Sequence, residues 1–221
     1  SCWNKTLSQL GFRRKLRKKG TQPYSGRRPL FENLEAREML TVSGPVNTLL
    51  DVVDASDAYY SLREAITSAN SNSDFDTITF APGLAGTIGL TGGQGQLVLN
   101  SNVNIVGPGA DKLTINGNNQ SRVFQINVGV NVTISDLTIT GGNVSGIHGG
   151  GILNSGNLTL EQVLVSGNSS DQYGGGLHSV AGSSLVIRDS EFTGNDAKYG
   201  GGASILLSST SGTVLIVDGN D

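Results

Sequence analysis

The chain has 221 residues with 15 Lys and Arg against 18 Asp and Glu, enough for one large or two small domains and close to neutral overall. The balance is unevenly spread: residues 1–45 carry ten basic and three acidic side chains, so the remainder is strongly acidic, at −10. That acidic body excludes nucleic acid as its partner, the single Cys2 excludes an internal disulfide, and the lack of an apolar run of about 18 residues excludes a transmembrane helix.

Residues 1–45 read as a basic, poorly ordered leader. The run GFRRKLRKKG (11–20) is not followed by an apolar segment long enough for a secretory signal peptide. A short helix is expected around Leu30 to Leu40. The first strong local signal is DAYYSLREAITSAN, Asp57 to Asn70. Ser61 and Glu64 form S-x-x-E, in which the hydroxyl and the carboxylate satisfy each other's backbone amides at a helix start. Leu62, Ala65, Ile66 and Ala69 then fall on one helical face. Asn70 suits a left-handed C-cap. Arg63 reads as a helix-surface charge and Glu64 as a cap rather than as a catalytic pair. Two turns of helix are marginal in water, so the apolar face must pack on something.

Beyond it the chain turns to short alternating strands. DTITFAPG (76–83) leads into NVNIVG (102–107), KLTING (112–117) and VFQINVG (123–129). A repeat then becomes regular. GGG occurs at 149–151, 174–176 and 200–202, and VTISDLTITGGN (132–143) is matched by LTLEQVLVSGN (158–168) and LVIRDSEFTGN (185–195). Val132, Ile134, Leu137 and Ile139 correspond to Leu158, Leu160, Val163 and Val165, and again to Leu185, Ile187, Ser190 and Phe192. Units of this size cannot bury their own apolar face; stacked in parallel about 4.8 Å apart, they can. The expected fold is therefore all-β, a right-handed parallel β-helix (a solenoid). The expected divisions are 1–45 for the leader, 46–80 for an N-terminal cap and 81–221 for four to five coils. TVLIVD (213–218) begins a further coil, and the chain is expected to be a fragment of a longer protein.

Stacking places equivalent residues in columns. His148, Tyr173 and Tyr199 each precede a glycine triplet and are expected to form an aromatic ladder. His178 follows its triplet, so it is not expected to share that column or to make a metal pair with His148. Asn143, Asn168 and Asn195 are expected to form a second ladder at a turn, tolerating positive φ and bonding along the stack. Asp136, Gln162, Asp189 and Asp218 form a third column. Read as chemistry, Asp136 and Asp189 would be an acid–base pair two coils apart with Arg188 nearby, the pattern of a polysaccharide lyase or glycoside hydrolase acting on acidic polysaccharide. Read as structure, they are short polar side chains at a bend that every coil needs. The structural reading is preferred, and no catalytic residue is assigned. Glu161 and Arg188 are placed to pair across one coil. HGGG (148–151) recurs as YGGG, which marks it as part of the repeat rather than an oxyanion loop. Asn131 and Asn157 head glycosylation sequons that matter only in a eukaryotic secretory setting.

Three segments carry a family resemblance. YSLREAITSAN with FDTITFAPGLAGTI and VNIVGPGADKLTINGNN resembles proteins with a C-S-L-R-E-A motif ahead of right-handed β-helix repeats, over about residues 48–142. Tyr60 stands where that motif has cysteine. GGGI (149–152) and FTGN (192–195) look like the G-G-A-I and F-x-x-N repeats of polymorphic outer-membrane proteins. FENLEAREML (31–40) is similar to the L-E-P-R-x-L-L motif of planctomycete surface proteins, departing at Ala36 and Met39. The resemblance implies an exported, extracellular or cell-surface bacterial protein. The resulting expectation is a non-enzymatic structural or adhesive module contacting polysaccharide or another surface protein. No cofactor is expected beyond weak Ca2+ association with the acidic body.

Overall fold

A computed structural model describes residues 44–54, 56–91, 93–206 and 214–216, all within one unit, Arg37–Asp221. The basic run, FENLEAREML and Asp218 lie outside the described residues.

The alternating sequence folds into a parallel β-solenoid of about five turns, each strand pairing with its copy in the next turn. The first turn holds β1 (Asp76–Thr79), β2 (Gly86–Gly89) and β3 (Leu97–Leu99). The second holds β4 (Val103–Val106), β5 (Leu113–Asn116) and β6 (Phe124–Ile126). The third gains a short strand: β7 (Asn131–Ser135), β8 (Thr138–Thr140), β9 (Asn143–Val144) and β10 (Ile152–Asn154). The fourth repeats it as β11 (Asn157–Glu161), β12 (Leu164–Ser166), β13 (Ser169–Tyr173) and β14 (Leu177–Ser179). The fifth is β15 (Ser184–Arg188), β16 (Glu191–Thr193), β17 (Asp196–Tyr199) and β18 (Ala203–Ile205), and β19 (Val214–Ile216) opens another turn.

These strands make four sheets. The longest runs β1-β4-β7-β11-β15-β19, and two five-stranded sheets run β2-β5-β8-β12-β16 and β3-β6-β10-β14-β18. The fourth, β9-β13-β17, exists only in the regular turns. Register follows the apolar alternation. Val132, Leu158 and Leu185 align, as do Ile134, Leu160 and Ile187, and all six are buried. A one-residue slip would turn both columns outward, so burial locks the register.

The glycine triplets mark a close approach between turns. Gly149, Gly150, Gly151 and Ile152 donate their amides to the carbonyls of Tyr173, Gly174, Gly175 and Gly176. A β-carbon on Gly150 would collide with the Ser169 carbonyl, and Gly149 has φ +71°. Only glycine meets both conditions.

Ahead of the first turn, α1 (Leu62–Ala69) carries the expected capping box on Ser61 and Glu64. Leu62, Ala65, Ile66 and Ala69 join the core that the first turn lines, against β1 and β3. Two details differ from the sequence reading. Asn70 is right-handed, at φ −68°, because its side chain is used elsewhere: Nδ2 donates to the Val98 carbonyl and Oδ1 accepts from the Asn100 amide, both at 2.8 Å. Arg63 is not a surface charge. Its Nε and Nη2 donate to the two Asp51 carboxylate oxygens at 2.6 and 2.9 Å, and Nη2 also reaches the Gly95 carbonyl at 2.8 Å. Asp51 in turn accepts from the Thr91 amide at 2.7 Å. The buried pair ties together the N-terminal segment, the helix and the loop before β3.

Candidate functional site

The corner between the β9-β13-β17 sheet and the β3-β6-β10-β14-β18 sheet carries the aromatic column. His148, Tyr173 and Tyr199 come together one per turn: the Tyr173 and Tyr199 carbonyls accept from the Gly149 and Gly174 amides, which hold the turns in step. The His148 and Tyr173 rings meet edge-on at 5.1 Å, and Tyr173 and Tyr199 stack at 4.8 Å with an angle of 27°. Tyr199 and Tyr173 are partly open to solvent, and Lys198 Nζ lies 5.3 Å from the Tyr199 ring centre. Stacked rings with an exposed edge suit the CH face of a sugar or another flat apolar surface.

His178 lies outside the column, as its position after the triplet implies, yet its ring packs against it. Leu177 and Ser179 point inward on β14, so His178 points outward, in register with Leu153 on β10 and Ser204 on β18. The His178 ring lies 4.8 Å from His148 and 6.0 Å from Tyr173 and is almost wholly buried. Both Nδ1 atoms are buried without a hydrogen-bond partner. Burial, then His148 and Arg122, pull the His178 pKa below its ordinary value, so the neutral ring is favoured.

Arg122 is the residue the sequence reading passed over. It sits two residues ahead of β6 and is buried. Nε donates to the Gly149 carbonyl at 2.8 Å, Nη2 to the His148 carbonyl at 2.6 Å, and Nη1 to Oε1 of Gln96 and of Gln125 at 2.9 and 3.2 Å. Every acceptor is neutral. Burial lowers its pKa to about 10. Arg122, Gln96, Gln125, Ile147, His148 and Leu153 line a pocket of about 420 Å³. Gln96 also borders a second hollow of about 250 Å³ beside α1, with Arg63, Thr67 and Asn70. No sequence signal marked Arg122, because its partners are backbone carbonyls and amides from three turns, joined only by stacking.

The asparagine ladder is shorter than expected. Asn168 Nδ2 donates to Asn195 Oδ1 at 2.9 Å and to the Ile139 and Ser166 carbonyls at 3.1 Å. Asn195 Nδ2 donates to the Val165 carbonyl at 2.8 Å. Positive φ belongs to the preceding Gly167 and Gly194, not to the asparagines. Asn143 lies one place out of register. It pairs with Ser169, while Gly142 faces the ladder and donates its amide to Asn168 Oδ1. A second, exposed ladder runs from Asn157 to Asn131 to Asn102 through bonds of 2.9 Å.

Asp136, Gln162 and Asp189 do stack at the bend after β7, β11 and β15. All three take left-handed φ, of 57°, 54° and 45°. Their backbones run on the stacking bonds of the bend, with the Asp136 amide reaching the Glu161 carbonyl and the Gln162 amide the Arg188 carbonyl. A tight bend accounts for the short polar residue at each. Glu161 and Arg188 are aligned in register, yet among the described residues the one ion pair is Arg63–Asp51. Among the same residues no cluster of three or more His, Cys, Asp or Glu could hold a metal ion. Among the described residues no helix is long and apolar enough to cross a membrane.

No protein-family model, no curated protein and no solved structure matches the chain.

Proposed function

We propose that this chain is a structural and adhesive module of a secreted or cell-surface bacterial protein, and that its aromatic corner contacts polysaccharide. The observation that carries the reading is the half-open column of His148, Tyr173 and Tyr199 beside a pocket edged by two amides and a guanidinium. Sugars are held by ring stacking together with planar hydrogen-bonding groups, and a solenoid repeats such groups along its length. The surface location rests on the likeness to C-S-L-R-E-A-motif and planctomycete surface proteins. Weak Ca2+ association with the acidic surface belongs to the same reading.

The test is a pull-down of the full chain with acidic and neutral polysaccharides, with and without Ca2+, alongside an assay for new reducing ends and unsaturated products. Retention of intact polymer, weakened by Tyr173→Ala and Tyr199→Ala, is expected. No retention of any polymer would remove the carbohydrate reading. Cleavage lost in Asp136→Asn or Asp189→Asn would make the protein a lyase or hydrolase instead.

A further inference from the structure

The two buried guanidiniums differ in one respect. Arg63 lies against the Asp51 carboxylate, whereas Arg122 has no carboxylate within 4 Å among the described residues. Its partners are two backbone carbonyls and two amide oxygens. A buried cation without a counter-ion is a strong net penalty, and neutral acceptors offset only part of it. Arg122 is also not sealed in: it borders the pocket of about 420 Å³, within the size range of ligand sites.

We propose that this pocket receives the oxyanion of a single acidic sugar residue, a carboxylate or a sulfate ester, which serves as the counter-ion of Arg122. The inference rests on the carbohydrate reading of the same corner and specifies the sugar it takes.

Three features select an anion. No residue lining the pocket is Asp or Glu. The guanidinium repels a metal cation. The His148 ring lines the pocket and packs on His178, and each has a buried Nδ1 with no partner. The Asp171 carboxylate, which reaches the pocket's rim at Gly146, is occupied by the Ser145 hydroxyl and the Gly146 amide, each at 2.7 Å. The acidic body opposes the approach of a long polyanion, but at about 0.15 M salt the Debye length is near 8 Å, so a short oligomer feels mainly the pocket.

The deciding experiment is calorimetric titration of the full chain at that ionic strength with three probes: trigalacturonic acid, a sulfated disaccharide and a neutral galactose trisaccharide. Gln125→Glu places a carboxylate where an amide already accepts from Arg122, supplying an internal counter-ion without deleting the bond. It should fold with an unchanged or higher melting temperature and lose at least about tenfold in affinity for the acidic probe, while Gln125→Ala keeps the preference for acid over neutral sugar. A preference for trigalacturonate assigns a carboxylate, and one for the sulfated disaccharide assigns a sulfate ester. Equal binding of acidic and neutral sugars, or an acidic preference that survives Gln125→Glu, would overturn the oxyanion assignment and leave the carbohydrate reading intact. Failure of all three probes to bind would overturn both.

Discussion

Arg63 and Asp51 form a bidentate pair in which each partner also anchors backbone: Asp51 holds the Thr91 amide, and Arg63 holds the Gly95 carbonyl. Removing one side leaves a buried charge facing a void. Asp51→Asn or Arg63→Ala should lower unfolding free energy by about 3–5 kcal/mol. A shift of the urea midpoint worth less than about 1 kcal/mol, the scale of an exposed pair, would refute the buried geometry. His178 gives a pH signature. Its folded pKa is depressed, so the unfolded chain binds the proton more readily. Stability contributed by the neutral ring is present above the unfolded value near 6.5 and falls as pH drops through it. The melting temperature should therefore decline between about pH 7.5 and 5, and His178→Phe should flatten that slope. The depressed carboxylates, Glu64, Asp54 and Asp171, act at lower pH and do not obscure this window.

The strand and turn have their own tests. Leu160 is buried at the centre of the longest sheet, between Ile134 and Ile187. Leu160→Ala should cost about 2–5 kcal/mol through transfer and cavity terms. Leu160→Asp should abolish β-type circular dichroism, and an unchanged spectrum would reverse the inward assignment. At the turn, Asn168 is buried and bonded along the stack, while Asn143 is exposed and one place out of register. Asn168→Ala should cost about 1–3 kcal/mol because the Ile139 and Ser166 carbonyls and the Gly142 amide lose partners. Asn143→Ala should stay within about 0.5 kcal/mol. Sequence alignment alone put these two residues in one column. The difference arises because TITGGN holds one more residue before its asparagine than LVSGN, and the stacking bonds absorb it by placing Gly142 in the ladder.

Across the molecule, each turn contacts its two neighbours, so stability is close to a sum of turn and interface terms. Amide exchange should be slowest in β7 and β11, which are paired on both sides, and faster in β1 and in β17 and β18 at the ends of their sheets. Uniform protection along the stack would contradict this. The amino-acid pattern alone determined the alternating strands of the repeat with their inward faces, the helix with its capping box and the period marked by the glycine triplets. Each of these is set by spacing within one turn, by alternation, or by steric limits that only glycine satisfies. The joining of His178 to His148, the burial of Arg63 against Asp51, the isolation of Arg122 among neutral acceptors and the exact membership of the asparagine ladder were decided by tertiary structure. These contacts cross between turns or between segments tens of residues apart, where a difference of a single residue in a loop changes which side chains meet.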